Sequence, residues 1–159
     1  MKNLSYFVAV LIAVALDQIS KYVAQKTLPF GSLKPIISSW LDFALVYNKG
    51  VAFSLFAGSY LQVSYFVFIL AFLICAYLII AIIKNRFNRM QKWASVLIIA
   101  GAIGNILDRL LHGHVIDFIY FHHHSFSWPV FNLADSFITI GAFLLIIESF
   151  AHNRSSTSC

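Results

Sequence analysis

Residues 50–83 contain no Asp, Glu, Lys or Arg, and this uncharged run constrains the fold more than any other feature. A spanning helix needs about 20 mostly apolar residues, so the run holds one membrane span, whose helical part we predict at 61–83. Only 11% of all residues are charged, against about 25% in soluble domains. Three shorter apolar runs also qualify as spans, at about 4–24, 93–111 and 133–150. The sequence thus predicts a mostly α-helical membrane protein with four transmembrane helices, forming a single integral membrane domain over 1–159.

The loops between the spans predict the orientation. Residues 84–92, "KNRFNRMQK", hold four cations and no acid, which is typical of a cytoplasmic loop. Both termini are then cytoplasmic, and segments 25–60 and 112–132 lie outside. The net charge of +5 forms no basic face with interleaved aromatic residues, so we expect no nucleic-acid partner.

The outer segments contain strand-like pieces. "LDFALVY" and "GVAFSLF" read as short strands around a turn at "NKG", and "VIDFIYF" reads as a third strand. We therefore predict a small β-sheet on the outer, extracytoplasmic face of the membrane.

The first apolar run has two interpretations. "MKNLSYFVAVLIAVALDQ" has the Lys, apolar stretch and small residues of a secretory signal peptide. Asp17 and Lys21 follow at helical spacing and further apolar spans come after, which favours a retained first span. We assign no role to Cys75 and Cys159.

This topology gathers acidic residues at one end of the spans. Asp17, Asp108, Asp117 and Asp135 fall near the outer surface, whereas Glu148 falls at the inner end. Charges at membrane depth are costly and face a protein interior or a watery cavity. Asp17 and Lys21 are four residues apart and can pair on one helix face. Asp108 and Arg109 are adjacent, so we expect each to pair with another element. A structural role is favoured for these four residues, and positioning of a ligand head group is the alternative.

Asp117 and Asp135 stand apart because neither has a local cation. If they meet, like charges in a poor dielectric raise one pKa, and two carboxylates sharing one proton are the acid/base arrangement of aspartic proteases. Alternatively each caps a helix or turn, since Asp135 stands at the start of the fourth span, where an N-cap is favoured. On the spacing alone both interpretations stay open.

Other polar and small residues in the outer half have less specific patterns. Five His residues can be zinc ligands or an exposed interfacial cluster, and the lack of an HExxH motif favours the second; they are His112, His114, His122, His123 and His124. Gly101 and Gly104 allow close helix approach. Three Asn residues can hydrogen-bond across a site or cap turns: Asn48, Asn105 and Asn132.

Five short motifs, in order, resemble those of lipoprotein signal peptidase, the bacterial type II signal peptidase family. They are "DQISK" (17–21), "NKGVAF" (48–53), "GNILDR" (104–109), "VIDF" (115–118) and "FNLAD" (131–135). Each motif alone is weak, but the five in order across a four-span chain are specific. The His cluster and the C-terminal tail lie outside them.

The resemblance implies an intramembrane aspartic endopeptidase of the bacterial inner membrane, with its active site near the outer surface. Such an enzyme removes the signal peptide of a prolipoprotein just before a diacylglyceryl-modified cysteine and needs no metal or organic cofactor. Asp117 and Asp135 would be the catalytic pair. Residues that shape the site or contact substrate would be Asp17, Lys21, Asn48, Gly104, Asn105, Asp108, Arg109 and Asn132. The expected partners are diacylglyceryl-modified prolipoproteins, membrane lipid and globomycin-type cyclic peptide inhibitors, and the expected state is a monomer.

Two other classes of function remain. A proton-coupled transporter or channel subunit also carries intramembrane acids, but predicts them spread across the membrane depth. A lipid- or peptide-binding membrane protein would use the two aspartates as caps, and would tolerate their replacement by Asn.

Overall fold

The computed structural model describes residues 3–49 and 60–156. The described part contains four helices of 24 residues each: α1 (Leu4–Thr27), α2 (Tyr60–Ile83), α3 (Arg89–His112) and α4 (Leu133–Ser156). Four strands complete it: β1 (Leu33–Ile37), β2 (Leu41–Asn48), β3 (Val115–His123) and β4 (Phe126–Ser127). The prediction of a mostly helical chain with a small sheet is confirmed. The predicted strand "GVAFSLF" and Cys159 lie outside the described residues.

Three of the helices are long and apolar enough to cross a membrane over their described residues. They are Leu4–Thr27, Arg89–His112 and Leu133–Phe150. In α2 the described apolar stretch, Phe68–Ile83, is shorter than these three and does not reach the length that the same criterion requires. At about 1.5 Å per residue, each 24-residue helix is long enough for a hydrocarbon core of about 30 Å. The count of four spans stays a prediction.

Helix α3 contacts each of the other three helices. Its close contacts depend on glycines, because a Cβ at Gly101 would collide with the Ala134 carbonyl oxygen of α4, and one at Gly104 with the Asp17 carboxylate of α1. The predicted close approach at these glycines is confirmed. A third contact of this kind lies at Gly141, where a Cβ would meet the Ala94 carbonyl oxygen at 2.6 Å.

Both ends of α3 are defined by capping residues. Asn88 is its N-cap, and the Asn88 and Gln91 side chains form a capping box with each other's backbone N–H. The cationic segment between α2 and α3 is therefore shorter than the predicted loop 84–92, since α3 already begins at Arg89. At the other end Gly113 adopts the left-handed conformation (φ 75°) and its N–H binds the Arg109 carbonyl. This turn leads directly into β3.

The sheet has the order β1-β2-β3-β4, and all pairs are antiparallel. Strands β2 and β3, which cover "LDFALVY" and "VIDFIYF", confirm the two described strand predictions. β1 and β4 were not predicted: all five residues of β1 are exposed and β4 has only two residues, so neither carries an alternating apolar pattern. The location of the sheet on the outer face stays a prediction.

Candidate active site

A buried ion cluster joins α1 to α3. The Lys21 ammonium lies 2.8 Å from Asp17 Oδ2 and 2.9 Å from Asp108 Oδ2, and all three side chains are at most 1% exposed. The predicted Asp17–Lys21 pair is thus present. Asp108 pairs with another element, as predicted, since its partner Lys21 lies on α1. With two carboxylates facing one ammonium, the cluster carries a formal charge of −1 when both acids are ionised.

Backbone N–H groups of two neighbouring elements also donate to the carboxylates of the cluster. The Ala134 backbone N–H, at the start of α4, donates to Asp17 Oδ1 at 2.9 Å, and the Ile116 N–H of β3 donates to Asp108 Oδ2 at 3.0 Å. Asp17 and Asp108 therefore fix the positions of two elements that enter the site, the first turn of α4 and the first residues of β3.

Lys21 also determines how the Asn105 amide is oriented. An ammonium group has donors only, so it binds the Asn105 oxygen Oδ1, at 3.0 Å. The amide nitrogen of Asn105 must then point the other way, where it donates to Asp135 Oδ1 at 2.7 Å. The buried Lys21 ammonium on α1 thereby orients the Asn105 amide so that its nitrogen donates to Asp135 on α4.

Asn132 connects the two aspartates. Its side-chain Nδ2 donates to Asp117 Oδ1 at 2.7 Å and to Asn105 Oδ1 at 3.1 Å, and its backbone N–H donates to Asp135 Oδ2 at 3.2 Å. The Asp135 N–H donates back to Asn132 Oδ1 at 2.9 Å. The N-cap of α4 is therefore Asn132, not Asp135 as the capping interpretation had it. Asp135 is the third helical residue and completes a capping box. Its carboxylate therefore both caps the helix and contributes to the site.

The sheet places Asp117 beside this helix start. Asp117 lies on β3 opposite Val46 of β2, and the Asn48 side chain at the end of β2 donates to Asp117 Oδ2 at 2.9 Å. On the other side Phe131 exchanges backbone hydrogen bonds with Ile119 at 2.8 and 3.0 Å. Because Asn132 directly follows Phe131, this pairing brings it against the Asp117 carboxylate.

Asp117 is almost completely buried, with 2% of its surface exposed. Burial raises the pKa of its carboxyl group to about 6; the hydrogen bond from Asn48 opposes this shift, and the negative charge of Asp135 adds to it. Asp135 is partly exposed. The two carboxyl groups thus differ in environment, and such a difference is what separates the roles of paired carboxyl groups in acid–base catalysis.

Arg109 contributes positive charge, and it forms no direct ion pair with an acid of the described residues. Its guanidinium donates to the Asn105 backbone carbonyl at 3.2 Å, within its own helix, so the predicted pairing with another element is not seen among the described contacts. The charges of Asp135, Asp117 and Asp108 act on it at longer range. Arg109 therefore lowers the electrostatic cost of holding several acids together.

A cavity of about 380 Å³ opens beside Asp117, and its lining includes Asn48, Tyr47, Pro129 and Val130. It is a space of the size of small-ligand sites, about 300–1,000 Å³, and Asp117 provides a carboxylate in its wall.

His122, His123 and His124 contact the sheet, whereas the His114 ring lies 4.4 Å, centre to centre, from that of Tyr47, which lines the cavity beside Asp117. His122 Nε2 is 3.1 Å from Asp42 Oδ2, and the His123 ring stacks on Trp40 and on His124. Among the residues that the structure describes, no three His, Cys, Asp or Glu side chains form a group that can hold a metal ion.

One residue of the network was not predicted. Gln18 Nε2 donates to Asp17 Oδ2 (3.2 Å), to the Gly104 carbonyl (3.2 Å) and to Asp108 Oδ1 (2.9 Å). Its position beside Asp17 within a predicted membrane span is the signal that could have found it, since a polar side chain there faces a protein partner.

Comparisons with known proteins agree with the motif order. The profile of the signal peptidase (SPase) II family matches residues 9–151. A lipoprotein signal peptidase of Neisseria meningitidis (strain FAM18) is 40% identical over 150 residues, covering 94% of this chain and 91% of the relative. One from Aeromonas hydrophila is 42% identical over 146 residues, with 90% and 86% covered.

Solved structures give the same result for the fold. A bacterial membrane enzyme determined by the in meso method at 2.3 Å superposes with a TM-score of 0.81 at 32% identity, covering 98% of this chain and 92% of the other. A second such structure, at 1.9 Å, gives a TM-score of 0.77 at 33% identity. Profile, relatives and fold all match over most of the chain, and the chain therefore belongs to the signal peptidase II family.

Proposed function

We propose that this protein is an intramembrane aspartic endopeptidase that removes the signal peptide from diacylglyceryl-modified prolipoproteins, cutting before the lipidated cysteine. The observation that carries the proposal is Asn132, which binds both Asp117 and Asp135 and so holds the two carboxylates at one site. The relatives named lipoprotein signal peptidase support the substrate class. The apolar helices support a place in the bacterial inner membrane.

The two carboxyl groups supply the chemistry together. The ionised carboxylate takes a proton from a water molecule, and the resulting hydroxide attacks the scissile carbonyl carbon. The protonated carboxyl donates a hydrogen bond to the carbonyl oxygen, where negative charge develops. Collapse of the tetrahedral intermediate breaks the C–N bond as the carboxyl that took the proton from water gives it to the leaving nitrogen. The pair ends with one proton, as it began.

The surrounding residues hold this pair in place. The side-chain amides of Asn48, Asn105 and Asn132 each donate to one of the two carboxylates. The cluster of Lys21 with Asp17 and Asp108 fixes the orientation of the Asn105 amide and the positions of the first residues of α4 and β3. The exposed apolar surface of the helices admits a lipid-modified substrate from the side. Globomycin-type cyclic peptides would compete for the same space.

A cleavage assay tests the proposal. Purified protein in lipid is given a prolipoprotein with or without its diacylglyceryl group, alongside the variants Asp117→Asn and Asp135→Asn and, as a control for an acid outside the network, Glu148→Gln. We expect cleavage of the lipidated form only, its loss in both Asn variants, and cleavage at the wild-type rate in Glu148→Gln. General acid–base catalysis contributes about 10²–10⁴-fold, so each Asn variant should lose at least about 100-fold.

Two outcomes would contradict the proposal. Substantial cleavage by a folded Asp117→Asn or Asp135→Asn protein would remove that residue from the pair. Binding of the substrate without any turnover by the wild-type protein would favour a peptide- or lipid-binding function instead.

A further inference from the structure

An apolar groove lies between α1, α2 and α3, near the start of α1 and the end of α2. It has a volume of about 260 Å³, and the described side chains that line it are all apolar or aromatic, among them Tyr6, Val10, Ile82, Val96 and Ile99. Tyr6 and Ile82 place the groove at the opposite end of the bundle from Asp108 and Asp135. It shares no residue with the aspartate network.

The groove is open to the side of the bundle. Leu11, which lines it, is 70% exposed, so the groove faces the space that lipid tails occupy around a membrane helix. Its volume is below the about 300–1,000 Å³ of sites for whole small ligands. It therefore fits part of a molecule, such as one hydrocarbon chain, better than a complete ligand.

A cation stands over one end of this groove. Lys92 Nζ lies 5.6 Å from the centre of the Tyr6 ring, and Tyr6 is a lining residue. The ammonium donates to Asn85 Oδ1 at 2.8 Å and to Asn3 Oδ1 at 3.3 Å, which are both neutral acceptors. Among the described residues, no carboxylate pairs with Lys92, so its charge is left uncompensated.

Further positive charge surrounds Lys92. Lys84, Arg86 and Arg89 are exposed in the same segment and in the first turn of α3, and none forms an ion pair with a described acid. Glu148, the acid at this end of the bundle, accepts a hydrogen bond from Asn88 at 2.5 Å. A local excess of positive charge beside an apolar groove matches a molecule with an anionic head and a hydrocarbon tail.

We propose that this groove binds one acyl chain of an anionic phospholipid, with the lipid phosphate on Lys92. Basic pockets between membrane helices recognise anionic head groups in this way. A phospholipid with a zwitterionic head group has no net charge to neutralise the cations, so it binds the same groove more weakly. The site is a resident-lipid site and is separate from the one that takes the substrate.

Native mass spectrometry of the purified full chain tests the assignment. The protein is equilibrated with an equimolar mixture of phosphatidylglycerol and phosphatidylcholine of the same acyl composition. We expect phosphatidylglycerol to be retained several-fold over phosphatidylcholine. In Lys92→Gln, which keeps a hydrogen-bond donor and loses the charge, that ratio should fall towards one, and Lys92→Arg should restore it. Leu11→Trp, which fills the groove from its exposed edge, should lower retention of both lipids.

Matched variants separate the groove from general effects. Lys34→Gln removes an exposed cation on β1, and Leu16→Trp enlarges an exposed side chain of α1 that does not line the groove; both should retain lipid as the wild type does. Equal retention of the two lipids by the wild type would overturn the proposal. A ratio unchanged in Lys92→Gln, or a Leu16→Trp effect equal to that of Leu11→Trp, would overturn it as well.

Discussion

At the scale of single residues, the site depends on two side-chain amides, each of which can be oriented in only one way. The Lys21 ammonium fixes the Asn105 oxygen, and the Asp135 backbone N–H fixes the Asn132 oxygen. Each amide nitrogen must then face a carboxylate, Asp135 for Asn105 and Asp117 for Asn132. Neither amide can flip without placing two donors or two acceptors against each other.

Removing the central cation should destabilise the protein strongly. Lys21→Met leaves the Asp17 and Asp108 carboxylates buried without a counter-charge, and breaking a buried pair in this way costs about 3–5 kcal/mol. Chemical denaturation in detergent, followed by circular dichroism, measures the free energy of unfolding. Lys26→Met is the matched control on the same helix: Lys26 is exposed and contacts the Tyr22 ring at 5.6 Å, so its loss should cost less than about 1 kcal/mol. Equal effects of the two substitutions would contradict the role given to Lys21.

The raised pKa of Asp117 makes stability depend on pH. With a pKa of about 6 against an ordinary 3.8, the folded protein binds more protons here than the unfolded chain does between about pH 4 and pH 6. The free energy of unfolding should therefore fall as pH rises through this window. This decrease in the free energy of unfolding is complete once the pH is above the pKa of Asp117 in the folded protein, and it amounts to about 3 kcal/mol.

The variant Asp117→Asn isolates this contribution. The substitution removes the titrating carboxyl group. It also changes the hydrogen bonds with Asn48 and Asn132, and this second effect shifts the free energy of unfolding by the same amount at every pH. Thermal unfolding from about pH 4 to pH 7 should show the wild type losing stability relative to the variant as pH rises. A constant difference between the two melting temperatures across that range would show that Asp117 does not have a raised pKa.

The sequence was enough to predict Asp117 and Asp135 as a candidate pair, but not how they meet. Their motifs stand out because two carboxylates interrupt an aromatic, apolar stretch. The bridge through Asn132 depends on the pairing of Phe131 with Ile119, a contact between two segments whose sequence pattern gives no register. Gln18 was missed for the same reason: its three acceptors come from two helices.

At the scale of elements, the two capped helices make a controlled comparison. Asn88 and Asn132 each cap a helix and each form a capping box, but only Asn132 touches both aspartates. Asn88→Ala and Asn132→Ala should each lower the free energy of unfolding by about 1 kcal/mol or more. Only Asn132→Ala should also lower kcat for cleavage, by at least about 100-fold. Comparable kcat values in the two variants would mean that Asn132 acts as a cap alone.

The elements themselves could be predicted to different degrees. The four helices α1 to α4 follow from long apolar runs, and β2 and β3 from alternating or β-branched residues. β1 could not be predicted because "LKPII" contains Pro and is exposed throughout. Its pairing with β2 comes from the turn between Ile37 and Leu41, not from a buried face of its own.

At the scale of the whole molecule, the predicted orientation in the membrane can be tested by cysteine labelling. The cations around Arg86 predict that this loop is cytoplasmic, and Lys34 of β1 should lie on the opposite side. In a background with Cys159→Ser, Arg86→Cys and Lys34→Cys are labelled with a membrane-impermeant maleimide in intact spheroplasts and after lysis. Lys34→Cys should react in both and Arg86→Cys only after lysis. Cys75 is buried and should give little background. Labelling of both positions in intact spheroplasts would contradict the predicted topology.

The ion pair within α1 has a consequence for how the chain is made. Lys21 needs both Asp17 and Asp108 in the finished protein, but α1 leaves the ribosome long before α3 has been synthesised. A lone charge at the centre of a helix costs about 2.5–3.5 kcal/mol during insertion by the translocon. Because Asp17 lies one turn before Lys21 on the same helix, these two charges can enter the lipid together as a neutral pair. We therefore expect Asp108 to pair with Lys21 only after α3 has been made, so that the helices assemble in the order in which they are translated.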